Sequence, residues 1–214
     1  MSIRHHLTDQ LLMAYSAGDL PEAFNLVVAT HVSLCDECRA RLGAFDAVGG
    51  AVLDGADASA MASDSLEAVM ARLEQTPQAN ARAPLQATGI LPAPLADYVG
   101  GGLDAVKWRH IGMGVRQAIL PTGSGASARL LFIPAGAAVP DHGHRGMELT
   151  LVLQGAFRDS NDRFGRGDLE IADEDLQHTP VAEAGAPCIC LAATDAPLRF
   201  NAMIPRIVQP FFRI

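Results

Sequence analysis

The sequence predicts a chain of two structural classes, a small all-α domain followed by an all-β domain. Up to residue 75 the apolar residues recur at helical spacing, whereas beyond residue 94 they form short runs that glycine and proline interrupt. The stretch between these parts has four prolines and no periodicity, which is typical of a linker. We therefore predict a helical domain over residues 1–75, a linker over residues 76–94 and a β-domain over residues 95–214.

Composition and charge narrow the classes of function. Hydrophobic residues make up 49% of the chain, which is enough for a core. The net charge of −8 is opposite in sign to that of proteins that bind nucleic-acid phosphates. Residues 1–90 hold 5 basic and 11 acidic residues, a net charge of −6, which favours a basic partner. No apolar run reaches the roughly 18 residues of a membrane-spanning helix, and the start lacks a signal-peptide core. We expect a cytoplasmic protein.

Caps and apolar stripes predict the helices of the first domain. Thr8 or Asp9 is a suitable N-cap for a first helix that Gly18 ends. A second helix follows, and helical character resumes after Cys35 until the Gly49-Gly50 pair. A last helix is expected near residues 64–75, where apolar residues form a stripe.

Short runs rich in β-branched and other apolar residues predict the strands of the second domain. Their spacing of about 8–20 residues is typical of a β-sandwich or barrel. The predicted strands are Val115–Leu120, Ala128–Ile133, Glu148–Leu153, Asp168–Ala172, Cys188–Ala192 and Leu198–Ala202.

A first candidate metal site lies in the helical part. His31, Cys35 and Cys38 are spaced i, i+4 and i+7, so a continuous helix would place all three on one face. Imidazole and thiolate are the ligands that zinc prefers. Seven residues of straight helix rise about 10.5 Å, too far for ligands of one ion, so we expect a break near Leu34–Cys35.

The fourth ligand of this site comes from elsewhere in the chain. An N-terminal segment that folds back can supply either His5 or His6, and the residues alone leave both open. Two other interpretations remain: His31 is a core histidine beside buried cysteines, or the Cys-x-x-Cys pair is a redox motif. The redox interpretation is weaker because no βαβ pattern surrounds the pair.

A second candidate metal site lies in the β-rich part. His142 and His144 are spaced i, i+2, so on a strand both face one side. Glu148 opens the next apolar strand, where a metal would neutralise its charge, and His178 supplies a third imidazole. Such a set of ligands suits zinc, iron, manganese or nickel, and the ligand types alone do not identify which of these metals binds. The alternative is a group of surface histidines around a glycine-rich turn.

Cys188 and Cys190 form a further close pair. They alternate on a predicted strand and therefore face the same side of it. Two small buried hydrophobic residues are the favoured interpretation over a redox pair. If they face the interior, they lie close to the second metal as targets for oxidation.

The first motif resembles the zinc-binding anti-sigma factors, which have an upstream His followed by His-x-x-x-Cys-x-x-Cys. The matching residues are His6, His31, Cys35 and Cys38. The resemblance implies a small helical domain in which these four residues hold Zn²⁺. It also implies binding to a sigma factor of the extracytoplasmic-function type, whose basic surfaces suit the acidic first part of this chain.

The second motif resembles the cupin family, a jelly-roll fold. Cupins have two conserved sequence motifs. The first cupin motif has the spacing of glycine, His-x-His, Glu and glycine that is found here. The glycine turn with His178 matches part of the second cupin motif, but the trailing Asn of that motif is missing. The resemblance implies a second metal held by His142, His144, Glu148 and His178. We expect this ion to be Zn²⁺ as well.

The fusion of the two parts resembles the ChrR-type anti-sigma factors over nearly the whole chain. That resemblance implies a cytoplasmic, non-enzymatic regulator of transcription that forms a 1:1 complex with its sigma factor, without direct contact with nucleic acid or membrane. It further implies release of the sigma factor under oxidative stress, by singlet oxygen or organic hydroperoxides.

Two other classes of function compete with this one. The first is a metal-dependent cupin enzyme, a dioxygenase or isomerase, with a helical regulatory extension, because three His and one Glu also serve redox iron. Against it, the sequence shows no obvious polar set beyond the ligands to orient an organic substrate. The second is a metal sensor that controls a promoter through a partner.

Overall fold

The N-terminal region is helical, as the sequence predicts. The structure is a computed structural model that describes residues 2–75, 89–140, 142–143, 145–174, 176–196 and 199–200. Its first four helices are α1 (Asp9–Ala17), α2 (Glu22–Leu34), α3 (Asp36–Asp54) and α4 (Ser65–Gln75).

The ends of α1 and the break between α2 and α3 follow from local chemistry. The Thr8 hydroxyl accepts a hydrogen bond from the Leu11 N–H over 3.3 Å, and Gly18 ends α1 in the left-handed region at φ 76°. Cys35 is extended, with φ −109° and ψ 107°, and separates α2 from α3. The predicted break is therefore confirmed.

The expected end of α3 at Gly49-Gly50 is wrong. The helix continues through both glycines to Asp54. A glycine inside a helix costs only about 1 kcal/mol relative to alanine, so it weakens a helix without necessarily ending it.

The C-terminal region is a β-domain that begins with a short helix, α5 (Ala93–Val99), and a 3-10 turn at Leu103–Ala105. Most of the predicted strands are present at nearly the predicted bounds. Of the predicted strand Leu198–Ala202, only Arg199–Phe200 belongs to the described residues. The strands are β1 (Arg109–Gly112), β2 (Val115–Leu120), β3 (Ser127–Ile133), β4 (His142–Gly143), β5 (Glu148–Gln154), β6 (Ala156–Arg158), β7 (Arg163–Gly165), β8 (Leu169–Ala172), β9 (Gln177–His178), β10 (Val181–Ala182), β11 (Cys188–Thr194) and β12 (Arg199–Phe200).

These strands form three sheets within the described part of the chain. The large sheet has the order β1-β2-β3-β11-β5-β8, and two small sheets have the orders β10-β6-β7 and β12-β4-β9. All paired strands are antiparallel. Strand neighbours that are distant in sequence, such as β11 between β3 and β5, bring residues from both ends of the domain together, as a jelly roll requires.

The large sheet is buried on both faces. One face contributes Leu130, Leu149, Leu151 and Leu191 to a core that also contains residues of the first two helices. The other face contributes Val152, Cys188 and Cys190 to a second core inside the β-domain, with other residues. Helix α2 lies against β11, β5 and β3 and against α5. The helical part and the β-domain therefore share one hydrophobic core.

The proposed linker is only partly within the described residues. Residues 76–88 lie outside them, whereas the last six residues of the linker are described. Of these, Leu91 is fully buried in the shared core and Ala93 begins α5. The domain boundaries that the sequence predicts remain a prediction.

The N-terminal strap, defined here as residues Ile3–His6, joins the helical part to the turn before β8. Asp168 Oδ1 accepts hydrogen bonds from the N–H groups of Arg4 and His5, over 2.7 and 3.1 Å. The Leu169 N–H donates to the His5 carbonyl over 3.2 Å. Gly167, at φ 88°, lies so close to the strap that a Cβ there would approach the Ile3 side chain to 2.6 Å.

Among the described residues, none of the helices combines the length and the apolar character that crossing a membrane requires.

Candidate functional site

The structure brings together the four residues of the first predicted metal site. His31 lies in the last turn of α2, Cys35 at the break, and Cys38 in the first turn of α3. The strap supplies His6. One ligand atom from each residue lies within 4.8 Å of the others, and three of the four residues are buried.

The distances between these ligand atoms fit a tetrahedral ion. Cys38 Sγ lies 3.3 Å from His31 Nε2 and 3.7 Å from His6 Nδ1, and Cys35 Sγ lies 3.3 Å from His6 Nδ1. A tetrahedron whose corners lie about 2.0–2.3 Å from its centre has edges of roughly 3.3–3.8 Å. The donor set of two imidazoles and two thiols, at this spacing, fits Zn²⁺.

The structure separates His5 from His6, which the sequence left as alternatives. The His5 ring faces away from the cysteines, with Nε2 3.0 Å from Asp162 Oδ2, and it packs on Phe164 at 4.4 Å between centroids. His6 presents Nδ1 to the thiols, while its Nε2 lies 3.5 Å from a Glu37 carboxylate oxygen. Of the two, only His6 presents a ring nitrogen to both thiols.

Burial sets the protonation of this site. Burial lowers the pKa of His31 to about 4, and repulsion from His6 lowers it further. The Gly167 backbone and Asp168 act in the opposite direction. Burial also raises the pKa of the Cys38 thiol to about 11. His31 is therefore neutral and has a free lone pair, whereas a metal ion must displace the proton of Cys38.

The structure places the residues of the second predicted site on several strands. His142 on β4 is paired through the backbone with His178 on β9. Glu148 begins β5, is half-buried, and accepts a hydrogen bond from the Thr150 hydroxyl over 3.1 Å. His144 lies outside the described residues.

Two acidic residues that the sequence analysis missed surround His178. Its Nδ1 lies 3.1 Å from Asp159 Oδ2 and 3.2 Å from Glu170 Oε1. The side chains of His178, Asp159 and Glu170 are 1%, 1% and 6% exposed. Glu170 carries a sequence signal, because it is polar in an otherwise apolar strand. Asp159 lies in a loop, where an aspartate has no such meaning.

The three groups influence one another electrostatically. Burial raises the pKa of Glu170 despite the opposing effect of His178. Burial opposes the ionised form of Asp159, but the Asp162 and Asn161 N–H groups and His178 together lower its pKa. Burial disfavours protonated His178, but Glu170 and Asp159 together raise its pKa. An imidazole between these carboxylates is held by charge as well as by hydrogen bonds.

The cysteine pair of the β-domain lies on the inner face of the large sheet. Cys188 and Cys190 are both buried, and their Sγ atoms are 3.5 Å apart. The expectation that they are buried and face the same side is confirmed. The contact with Cys188, followed by burial, raises the pKa of the Cys190 thiol.

Beyond the candidate ligands, the β-domain holds a row of buried polar residues on one face of the large sheet. Arg129, Ala192, Thr150 and Glu170 are paired across β3, β11, β5 and β8, so they form one row on one face of the sheet. Of these, the three polar residues are all buried. Burial lowers the pKa of the Arg129 guanidinium, and Glu148 acts in the opposite direction.

A cleft of about 600 Å³ separates the two candidate sites. The strap residues Arg4, His5 and His6 line one side, and Asp159 and Glu170 line the other, with further residues between them. The strap and the carboxylates around His178 are thus close neighbours.

Comparison with known proteins supports the two-part architecture. Residues 99–196 match the family described as the ChrR cupin-like domain. The whole chain is 66% identical, over 214 residues, to the "Anti-sigma-E factor ChrR" of Cereibacter sphaeroides, and the match covers 100% of both proteins. That relative is a regulator rather than an enzyme.

A solved structure has the same fold. The chain is similar to one in the crystal structure of Rhodobacter sphaeroides SigE in complex with the anti-sigma ChrR, with 63% identity and a TM-score of 0.81. The match covers 91% of this chain and 100% of that one. A helical cluster of two histidines and two cysteines, a cupin-like β-domain and 66% identity over the full length to a ChrR protein lead to one conclusion: the chain belongs to the ChrR family of anti-sigma factors.

Proposed function

We propose that this protein is a cytoplasmic anti-sigma factor that binds one sigma factor of the extracytoplasmic-function type and releases it under oxidative stress. The signal in this proposal is singlet oxygen or an organic hydroperoxide. The relative at 66% identity is named an anti-sigma-E factor, and the structural relative was solved with SigE. The protein acts through this partner and not through contact with nucleic acid or membrane.

The observation that carries the proposal is an exposed apolar surface on the helices. The end of α3 and the whole of α4 expose large hydrophobic side chains to solvent, and α4 buries none of its residues. Exposed apolar residues that are grouped on helices in this way are typical of a site of protein–protein contact. This docking surface comprises Val48, Val52, Leu53, Leu66, Val69, Met70 and Leu73, of which Leu53 is 75% exposed and Val69 50% exposed.

The net charge of the helical part suits a sigma factor. The helical part carries most of the net negative charge of the chain, and α3 begins with Asp36 and Glu37. Sigma factors present basic surfaces to polymerase and DNA, so opposite charges accelerate association and orient the partners.

In this proposal each domain holds one Zn²⁺. His6, His31, Cys35 and Cys38 hold the ion of the helical part, where it joins two helices and the strap. His142, His144, Glu148 and His178 hold the ion of the β-domain, which receives the signal. When bound, each ion supplies fixed geometry and a concentrated positive charge.

Substitution on α4 tests the interface. Leu73→Glu places a charge on the apolar stripe and is expected to lower co-purification with the sigma factor and to raise transcription from a sigma-dependent reporter. Ala71→Glu is the matched control, because it adds the same charge on the opposite side of the helix. Equal binding by wild type and Leu73→Glu would contradict the proposed interface.

Substitution in the β-domain tests the response to oxidant. Glu148→Ala and His178→Ala are expected to leave repression of the reporter intact in the dark and to reduce its induction by singlet oxygen. Reporter activity with and without a photosensitiser and light measures both quantities. Constitutive reporter activity in these variants would show instead that the β-domain metal maintains the inhibited state.

A further inference from the structure

The environment of His178 is unusual for a buried histidine. One ring nitrogen, Nδ1, lies within hydrogen-bond distance of two different carboxylates, Asp159 Oδ2 at 3.1 Å and Glu170 Oε1 at 3.2 Å. Carboxylate oxygens only accept hydrogen bonds when ionised. A proton on Nδ1 satisfies these acceptors, whereas a lone pair at that position would face the carboxylate oxygens without a hydrogen bond.

Asp159 is itself held in place by the loop that contains it. Its other oxygen, Oδ1, accepts hydrogen bonds from the N–H groups of Asn161 and Asp162, over 2.8 and 3.0 Å. The Asp159 N–H donates to the Asp162 carbonyl over 3.1 Å and closes the turn. The carboxylate cannot rotate away from His178 without losing these contacts.

Glu170 approaches the same nitrogen from the large sheet. It lies on β8, paired with Thr150 of β5, and its side chain is almost completely buried. His178 is thus held from two directions, by a loop and by a sheet. Two rigid supports fix both the rotation of the ring and the nitrogen that is protonated.

We propose that Asp159 and Glu170 are positioning residues that hold His178 with its Nε2 lone pair directed to the metal of the β-domain. The inference rests on the proposed metal centre of that domain. A histidine that binds a metal through one nitrogen needs the proton on the other, and a carboxylate that accepts this proton fixes the ring and increases its basicity. Loss of such a partner weakens metal binding about 10- to 100-fold.

A first experiment separates a positioning role from direct ligation. The full-length protein is loaded with ¹¹³Cd²⁺, whose NMR resonance depends on the ligand atoms, so the site with two thiolates and the site with only nitrogen and oxygen give separate signals. Asp159→Ala is expected to leave both resonances at their wild-type positions at saturation. Competition with a chelator is expected to show about 10- to 100-fold weaker binding at the second site only.

The amide variant tests the protonated nitrogen. In Asp159→Asn the oxygen stays with the two N–H groups of the turn, so the amide NH₂ faces His178 Nδ1 and favours the proton on Nε2, the wrong nitrogen for a metal ligand. This variant is expected to weaken cadmium binding at least as much as Asp159→Ala. Glu174→Gln is the control: it removes an exposed carboxylate four positions from Glu170 and is expected to change nothing.

The outcomes separate the inference from the proposed function. A shifted second resonance in saturated Asp159→Ala would make Asp159 a ligand and overturn the positioning role. Wild-type affinity in either Asp159 variant would also overturn it. A wild-type protein without the second resonance, or a His178→Ala variant that retains it unchanged, would overturn the proposed metal centre itself. The unchanged thiolate resonance reports in each sample that the chain is folded.

Discussion

Cys35 has two roles at once, as a candidate metal ligand and as the N-cap of α3. Its Sγ lies 3.4 Å from the Cys38 N–H, the position at which a capping side chain accepts a hydrogen bond. Serine is a strong N-cap and a poor zinc ligand. Cys35→Ser therefore removes the metal ligand while keeping the cap.

We predict that Cys35→Ser lowers the zinc content by one equivalent and abolishes inhibition of the sigma factor. The physical reason is that the metal contributes folding free energy directly to a helical part with little core of its own. Atomic spectroscopy of the purified variant and the sigma-dependent reporter measure the two effects. Full zinc content together with full inhibition would contradict the assignment of this site.

Glu183 gives a prediction for the dependence of stability on pH. Its carboxylate oxygens lie 2.9–3.0 Å from the guanidinium groups of Arg163 and Arg158. These contacts lower the pKa of Glu183 to about 2, and the contact with Arg163 has the larger effect. Because the folded-state pKa is lower than the unfolded value, the extra stability is present above about pH 4.5 and disappears as the pH falls towards 2.

Glu183→Gln should therefore destabilise the protein near neutral pH and have a smaller effect in acid. The difference in thermal unfolding midpoint between wild type and variant is expected to shrink between pH 5 and pH 2. The ion pairs are partly accessible to solvent, so the difference is also expected to fall with added salt. A difference that is constant over this pH range would show that the charge of Glu183 does not contribute.

At the scale of elements, the packing of α2 and α5 shows what periodicity can and cannot predict. The apolar pattern of α2 indicates that it is buried, and it is. The same pattern carries no information about the surface that covers it, which is the large sheet of the β-domain. Likewise, the prolines around Leu91 indicate an irregular backbone, but they do not show that this leucine is buried in the shared core.

Leu91→Ala is predicted to be severely destabilising although it lies in the stretch whose composition resembles a linker. Truncation of a fully buried leucine costs about 2–5 kcal/mol of the free energy of unfolding. Leu53→Ala is the matched control, since Leu53 is 75% exposed on α3 and the same truncation there is expected to have little effect. Urea denaturation followed by circular dichroism gives both values. Equal effects would show that Leu91 is not part of the core.

The candidate sites differ in how far they can be predicted from sequence. His31, Cys35 and Cys38 are close in sequence, so helical spacing places them on one face. The rise of a straight helix between them then indicates the break near Cys35 that brings them together. The choice of His6 over His5 depends on Asp168, which is distant in sequence and holds the backbone of the strap. The role of Asp159 cannot be predicted from the sequence for a related reason: it lies in a loop that the tertiary structure places beside His178.

At the scale of the whole molecule, the strap makes the helical metal site depend on the β-domain. Asp168 accepts hydrogen bonds from two successive N–H groups immediately before His6, so it fixes the direction in which the chain reaches the thiols. The same carboxylate accepts a hydrogen bond from the Gly165 N–H over 2.8 Å. A change near the cupin-like site can thereby reach the helical part.

We predict that Asp168→Ala weakens zinc binding at the helical site without removing any of its ligands. Competition with a coloured chelator is expected to show one zinc released at lower chelator concentration than in wild type. Asp162→Ala should have a smaller effect, because Asp162 contacts the ring of His5 and not the backbone of the strap. An unchanged zinc affinity in Asp168→Ala would show that the strap does not support His6.

The strap also has a consequence for the order of events during synthesis. Arg4 and Asp168 are separated by 164 positions, so the strap leaves the ribosome long before the turn that holds it. At about 5–20 residues per second, this delay is roughly ten to thirty seconds. During that time the nascent helices have three ligands and an unsupported fourth. We expect the zinc cluster to mature only after most of the polypeptide has been translated.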